Sequence, residues 1–489
     1  MTPRRHASRL SAIAAVGLLA VLASLATETR PAHATGFVIP DNGTKSVGRG
    51  GAYMLGATGP EVIYYNPALL TRLKGFQLTL DLNIMDLDAS FARSGEDPTT
   101  GEPFPLIENE FDGIPCCGVF PAPMLFVSHD FGLDNFGFGF AVYGPSAVGA
   151  RQFPLDGAME GDRRSPSRYM LIEAEILEIY YTLAAAWQVQ GFRVGISAQL
   201  AQLLPTFKLA IHADNLTQPE AENPDFQAIT TLETSGFSPT GIIGIAYDVN
   251  TSLSFGLTFQ KGVDFETEGT INLEFPASLD FANPKLTNDK TKFSVSDADV
   301  LRLGARYAHI DGDRELFDVE LVATWERWSR NKEFLIEPEG SVSVFGTDVP
   351  LDPIHQAKNW QDAYSVRLGG DVPIVDWLTL RTGGFYETSA IPSERTHLDF
   401  FSFDRFGTGL GATFHVWQLD IDAGYIHIFE AERTVTDGAV LAEAPINTNP
   451  RPVVNNGTYK ASYDTYSVGV TYRFGDDKNI ASRPAITDL

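Results

Sequence analysis

The sequence has little cysteine, because the only two, Cys116 and Cys117, are adjacent. A disulfide framework and a cysteine-rich metal cluster are therefore excluded. Neighbouring Cα atoms lie about 3.8 Å apart, below the ~4.4 Å lower limit of ordinary disulfides. Two alternatives remain open for this pair: a strained vicinal disulfide in an oxidising compartment, or two free thiols in a loop.

Basic residues are also few, with 36 Lys and Arg against 62 Asp and Glu and a formal net charge of −26. A nucleic-acid partner needs a basic face, so this balance argues against one. The nine histidines are scattered, and no zinc-protease, Walker A or nucleophile-elbow motif is present. We therefore predict no enzymatic activity, no metal site and no cofactor.

Long apolar runs are confined to the N-terminus. Three arginines within residues 4–9 precede an apolar run over residues 10–26, and the small residues Ala32 and Ala34 follow. This order is typical of a secretory signal peptide, which we assign to residues 1–34. No later segment has the ~18 uninterrupted apolar residues of a membrane-spanning helix. The exported chain is therefore either soluble or a membrane β-barrel.

Apolar and polar residues alternate with a period of two over much of the remaining chain. At Leu253, Phe255, Leu257 and Phe259 every second residue is large and apolar, which is the pattern of a β-strand. We count fourteen such strands over residues 75–474, the third at 136–150. Long connections alternate with tight turns, as in an up-and-down outer-membrane barrel with an even strand number. A C-terminal tail, 475–489, follows.

In such a barrel the aliphatic residues face lipid and aromatic residues form girdles near the strand ends. The girdle candidates are Trp325, Trp328, Trp377, Trp417, Tyr307 and Tyr472. The inward face is polar, and we interpret Asp420 and Asp422 on it as lumen lining in contact with water. Residues 35–74 lack sustained alternation but are rich in glycine. Because a lumen about fourteen strands wide exceeds what its own side chains fill, we predict that this segment plugs it.

Several motifs resemble the FadL/TodX outer-membrane transporters, and together they span nearly the whole mature chain. The resemblance is carried by Thr35-Gly36-Phe37, residues 46–53 (SVGRGGAY), residues 64–70 (YYNPALL), Gly269-Thr270, residues 325–328 (WERW), Trp360-Gln361-Asp362, residues 457–460 (GTYK) and residues 472–474 (YRF). It implies an all-β fold, a 14-stranded antiparallel transmembrane β-barrel with an N-terminal hatch inside the lumen. The implied location is the outer membrane of a Gram-negative-type bacterium.

The resemblance also implies uptake of hydrophobic small molecules such as long-chain fatty acids or hydrocarbons, with sideways release into the bilayer. Implied partners are outer-membrane lipid, lipopolysaccharide and the barrel-assembly machinery, and we expect a monomer. Phe37 would line a pocket beside the hatch. The hatch motif comprises Gly48, Arg49, Asn66, Pro67 and Ala68, and the lateral gate comprises Gly144 and Pro145. The alternatives are a surface adhesin or structural barrel, and a porin for small polar solutes.

Overall fold

The fold is seen in a computed structural model. It describes residues 42–97, 100–110, 120–144, 150–153, 165–212, 227–312, 314–443 and 451–474. The predicted signal peptide, Phe37, the two cysteines, Pro145 and the C-terminal tail lie outside these ranges.

Fourteen antiparallel strands close into a barrel, and several of them consist of two segments. The strands are β1 (Phe76–Arg93), β2 (Phe120–His129), β3 (Phe136–Tyr143 and Ala150–Gln152), β4 (Glu173–Val189), β5 (Phe192–His212), β6 (Gln227–Asp248), β7 (Leu253–Gln260 and Asp264–Glu274), β8 (Lys290–Ser296 and Asp299–Asp311), β9 (Arg314–Arg327 and Glu333–Pro338), β10 (Ile354–Ala357 and Ala363–Val375), β11 (Leu378–Glu387), β12 (Arg405–Val416), β13 (Leu419–Glu430) and β14 (Gly457–Phe474).

Short helices precede the barrel and interrupt its connections. In the part of the chain that the structure describes, two are α-helices, α1 (Thr44–Gly48) and α2 (Val62–Tyr65), and the 3-10 helices are Pro67–Arg72, Ala277–Ala282, Trp328–Arg330 and Ser393–Arg395. Further short strands lie in the connections, at Leu106–Glu108, Lys285–Leu286, Ser341–Val344, Thr347–Pro350 and Arg433–Val435. Among the described residues, no helix is long and apolar enough to cross a membrane.

The barrel closes between its first and last strands. β1 pairs with β14 from Phe76 opposite Phe474 to Arg93 opposite Gly457. Such closure pairs the first strand with the last, which is what a hydrocarbon environment requires of a β-structure. The strand count and the closure predicted from the sequence are confirmed.

The alternation of side chains separates an apolar outer wall from a polar lumen. On β4 and β5, Leu183 is 66% exposed and Ile196 55% exposed, whereas their inward neighbours Thr182 and Ser197 are buried. Because the outward residues are aliphatic or aromatic, this wall suits contact with lipid. Trp377 and Trp417 lie exposed at turns between strands, as predicted for girdle residues.

Tight turns connect the strands at one end of the barrel, which we call the short-turn end. Longer segments connect them at the opposite end, which we call the long-loop end. At the short-turn end the Asn250 side chain accepts hydrogen bonds from the backbone N–H groups of Ser252 and Leu253, both at 2.9 Å. Asparagine stabilises such turns by this contact. The predicted alternation of long and short connections is confirmed.

Two details of the sequence prediction are wrong. The third strand is not continuous over residues 136–150, because its first segment ends at Tyr143 and Gly144 belongs to no strand; residues 145–149 lie outside the described ranges, and a second segment is described at Ala150–Gln152. Trp328 is not a girdle residue, since it is 1% exposed, stacks edge-on against Trp360 and donates to the Glu326 carboxylate at 2.8 Å. The period-two pattern mispredicts Trp328 because the strand ends there in a 3-10 turn, Trp328–Arg330, which turns the Trp328 side chain inward instead of outward.

Candidate functional site

Residues 42–74 fill the barrel lumen, and we call this segment the hatch. Its helix α1 contacts β11, β12, β13, β14 and β1, while the 3-10 helix Pro67–Arg72 contacts β3, β4, β5 and β6 on the other side. The predicted plug is therefore confirmed for the described part of the segment. The position of Phe37 stays a prediction.

Arg49 holds one side of the hatch to the wall. It is fully buried, and its guanidinium donates to Asp318 Oδ1 at 3.1 Å, to Asp318 Oδ2 at 3.0 Å and to Glu320 Oε2 at 3.1 Å. Asp371 Oδ1 lies 2.9 Å from the same group. Glu320 also accepts from the backbone N–H of Leu55 at 2.6 Å. We call Arg49, Asp318, Glu320 and Asp371 the Arg49 cluster, and the planar guanidinium suits such multiple contacts.

Lys45 forms a second ionic contact between hatch and wall. Its ammonium group lies 3.5 Å from Asp422, 3.8 Å from Asp420 and 3.8 Å from Glu61. Asp420 also lies 2.6 Å from the Arg473 guanidinium. Asp420 and Asp422 line the lumen as predicted, but the expectation that water solvates them is wrong, because both are buried against the hatch.

The Asn66-Pro67-Ala68 motif forms the turn that seats the hatch on β6. The Asn66 side chain accepts from the backbone N–H of Ala68 at 3.2 Å and donates to the carbonyl of Ile245 at 3.1 Å. One amide thus caps the 3-10 helix and binds the wall. Pro67 occupies the first position of that helix, where its missing N–H group costs nothing.

Glycines in the wall make room for the hatch backbone. A Cβ atom on Gly195 would collide with Pro67, and one on Gly244 would collide with the Asn66 side chain. On the hatch itself, a Cβ on Gly48 would lie 2.8 Å from Cγ of Arg381 and 2.9 Å from the Cα of Gly411. Glycine within a strand often marks such a close approach of another backbone. The inward glycines are the sequence signal for this docking surface, and the alternation of apolar and polar residues does not reveal it.

The β3 ladder is interrupted beside Gly144. β3 pairs with β4 as far as Tyr143 opposite Tyr180 and pairs again from Ala150 opposite Glu175. Among the described residues, 176–179 of β4 have ladder partners only on β5. A Cβ on Gly144 would collide with the carbonyl oxygen of Glu178, so the glycine allows the chain to leave the ladder here. This is where the sequence analysis placed the lateral gate.

Two acidic side chains face the lumen at the level of this interruption. Glu178 on β4 is 2% exposed, and Asp297, between the two segments of β8, is 6% exposed. Their carboxyl groups interact with each other, and Glu178 also interacts with Tyr180. Arg330 is the cation that acts on Asp297. No motif in the sequence singles out this acid pair, because its members are 119 residues apart in the chain.

An apolar pocket lies near the long-loop end of the lumen. Its walls are Met170, Leu171, Phe207, Leu209, Phe293, Phe334 and Ile336, with Gln356, His397 and Asp399 at a polar end. The rings of Phe207, Phe293 and Phe334 have centroids 5.6 to 6.4 Å apart. The free volume is about 10 Å³, enough for about one water molecule, so side chains must move to admit a ligand. Such apolar concavities with few polar groups are the usual sites for small hydrophobic ligands.

The polar end of this pocket is a buried ion pair. The Lys358 ammonium donates to Asp399 Oδ2 at 2.5 Å and lies 4.3 Å from the centre of the Phe334 ring. Nδ1 of His397 lies 2.9 Å from Asp399 Oδ1 and 3.2 Å from the backbone nitrogen of the same residue. Burial alone would raise the pKa of Asp399, but His397 and Lys358 outweigh it and hold that pKa well below its usual range. Burial lowers the pKa of His397.

No group of three or more metal-ligating side chains occurs in the part of the chain that the structure describes. The site is therefore made of three parts: a hatch held by ionic contacts, an apolar pocket near the long-loop end, and an interrupted strand beside an acid pair. A closed barrel with an apolar outer wall and a filled lumen defines an outer-membrane β-barrel protein.

The chain belongs to the family described as "Outer membrane protein transport protein (OMPP1/FadL/TodX)", whose model matches residues 25–474. It is also 25% identical over 240 residues to the 47 kDa outer membrane protein of Pasteurella multocida (strain Pm70). That match covers 47% of this chain and 49% of the relative, so it spans about half of the relative's length. The protein is thus an outer-membrane barrel of a transport family.

Solved structures share the fold. A Pseudomonas aeruginosa FadL homologue superposes with a TM-score of 0.71 at 16% identity, covering 90% of this chain and all of that one. The P. putida toluene transporter TodX gives 0.62 at 15% identity, covering 90% of this chain and 100% of that one. The Ralstonia pickettii toluene transporter TbuX gives 0.60 at 14% identity, covering 89% and 99%. At these identities the similarity concerns the fold alone.

Proposed function

We propose that this protein carries hydrophobic small molecules across the outer membrane. The observation that carries the proposal is the apolar pocket inside a barrel whose lumen the hatch fills. Met170 and Leu171 line that pocket and lie one residue before β4, the strand beside the β3 interruption. At about 3.3 Å per residue, the pocket lies roughly 20 Å from the interruption along the strand.

Sideways release through the interruption is the exit that best suits such a ligand. An apolar solute that entered the periplasm would lose about 0.8 kcal/mol for each CH₂ group returned to water. An exit between β2 and β4 into the bilayer avoids this cost. In this proposal Gly144 and Pro145 form the gate, and Phe37 acts as a displaceable lid of the hatch-side pocket.

The hatch argues against the porin alternative. Arg49 and Lys45 join it to the wall by buried ion pairs on different strands, and its backbone contacts wall glycines directly. A lumen filled in this way offers small polar solutes no wide aqueous path. The adhesin alternative predicts no ligand in the pocket at all.

Three measurements on the whole protein test the proposal. Outer membranes that contain the protein should take up a labelled hydrocarbon faster than membranes that lack it. Liposomes that contain it should not swell in isotonic sugars. Mass spectrometry of the purified protein should find a bound hydrophobic molecule. Sugar-driven swelling would favour the porin, and the absence of both uptake and bound ligand would favour the adhesin.

A further inference from the structure

We propose that Asp399 is a specificity-determining residue that makes the pocket select uncharged hydrocarbons over carboxylates. This inference rests on the proposed function and concerns the substrate class of the same pocket. A carboxylate ligand needs a cation to replace its hydration. The question is therefore whether the pocket offers a cation that is not already neutralised.

Lys358 is the cation at the polar end, and Asp399 already neutralises it. Both side chains are 3% exposed, and the ammonium-to-carboxylate distance is 2.5 Å. The other side of the ammonium faces the ring of Phe334 at 4.3 Å, which is a pocket wall. The pair thus presents no net charge to a ligand, and an incoming carboxylate would have to displace Asp399.

Among the described residues around the pocket, the other polar groups do not supply a second cation. Nδ1 of His397 lies 2.9 Å from the Asp399 carboxylate, and burial lowers the pKa of this imidazole, so it carries no positive charge above its ordinary pKa. Gln356 is an uncharged amide. Glu443, which also interacts with Lys358, lies 2.7 Å from Arg451, so that pair is also neutral. The remaining walls of the pocket are aliphatic or aromatic.

The test compares two probes with the same chain, 1-dodecanol and laurate, at pH 8.5, where laurate is ionised. Full-length protein in nanodiscs is titrated with each probe, with correction for binding to protein-free nanodiscs. Wild type should bind dodecanol at least roughly tenfold more tightly than laurate, because a charged hydrogen bond that the pocket cannot offer is worth about that much. Equal affinity for the two probes would overturn the inference.

The variant Asp399→Asn should free Lys358 for the ligand carboxylate. The ratio of laurate to dodecanol affinity should rise roughly 10- to 100-fold. Adding Lys358→Met should abolish this gain, whereas Asp376→Asn, on an exposed turn, should leave the ratio unchanged. An unchanged ratio in a folded Asp399→Asn protein would contradict the inference, and if that variant does not fold, the wild-type comparison decides. If wild type binds neither probe, the proposed function itself fails.

Discussion

Arg49 and Asp318 form a bidentate ion pair between the hatch and strand β9. Two guanidinium nitrogens donate to the two carboxylate oxygens at 3.1 and 3.0 Å, and both side chains are shielded from water. Arg306 approaches the same carboxylate from the wall at 2.8 Å. A buried pair of this kind is weak evidence for overall stability, but it fixes where the hatch sits.

Replacing Arg49 with Met should loosen the hatch without unfolding the barrel. Removing one partner of a buried ion pair costs roughly 3–5 kcal/mol, because the other charges remain buried. Glu320 and Asp371 would lose the guanidinium, while Asp318 would keep Arg306. We expect ion conductance in planar bilayers and sugar-driven swelling of liposomes, neither of which wild type should show.

The control is Arg314→Met at the short-turn end. Arg314 pairs with Asp376 at 3.2 Å, but both side chains are largely exposed, and exposed pairs contribute only about 0–1 kcal/mol. Barrels of this control variant should show neither ion conductance nor sugar-driven swelling. An Arg49→Met barrel that is as impermeable as wild type would show that the Arg49 cluster does not hold the hatch.

The wall glycines give a second, independent test of hatch docking. Gly244→Ala places a methyl group against the Asn66 side chain and Pro67, which cannot move away without breaking the turn. Gly304→Ala meets only the flexible ends of Met54 and Leu55, at 3.0 and 3.4 Å or more. Overpacking of a rigid site costs roughly 1–3 kcal/mol. We expect the hatch of Gly244→Ala to be proteolysed faster than that of wild type, and the hatch of Gly304→Ala to be proteolysed at the wild-type rate. Equal proteolysis rates for the two variants would contradict this expectation.

The barrel could be predicted from the sequence because lipid imposes a strict rule on it. Every outward residue must be apolar, so Leu253, Phe255, Leu257 and Phe259 reveal a strand without knowledge of its neighbours. The breaks within strands are harder to see. The interruption after Tyr143 depends on the pairing with β4, and Gly144 could be read equally well as the end of a strand.

The ionic contacts could not be predicted, because their partners are far apart in the chain. Arg49 belongs to a recognisable hatch motif, but nothing local identifies Asp318 as its partner, 269 residues away. Lys45 and Asp422 pose the same problem. The polar end of the pocket joins Lys358 to Asp399 across two long connections, so only the folded chain brings them together. An acid on an inward strand face looks the same in sequence whether it meets water or an arginine.

Pro145→Val tests the gate that the sequence analysis placed at the third strand. Pro145 lies outside the described residues, next to Gly144. Valine restores a backbone donor and favours a strand, so β3 should extend toward Ala150 and close the interruption. We expect hydrocarbon uptake to fall several-fold while heat-modifiable migration on gels, a sign of a folded barrel, is unchanged. Uptake at the wild-type rate would remove the gate assignment.

The polar end of the pocket should make ligand binding depend on pH. The pKa of His397 is lowered by burial and by Lys358, although Asp399 partly opposes this. The folded protein therefore binds fewer protons at this site than an unfolded chain, whose histidine titrates near 6.5. The stability that neutral His397 contributes is thus complete above about pH 7 and is lost as pH falls below it. Asp399, with its depressed pKa, stays ionised over this range.

We therefore expect dodecanol, which does not titrate, to bind with constant affinity above about pH 7 and more weakly at about pH 5, because a protonated imidazole costs more to bury beside an apolar ligand than a neutral one does. His397→Gln keeps a neutral polar group at every pH, so its affinity should not change between these values. His355→Gln is the matched control, because His355 pairs with Glu333 on the same end of the barrel but is 58% exposed, and it should keep the wild-type pH response. If His397→Gln also keeps that response, another group is responsible, and His397 does not sense pH at this pocket.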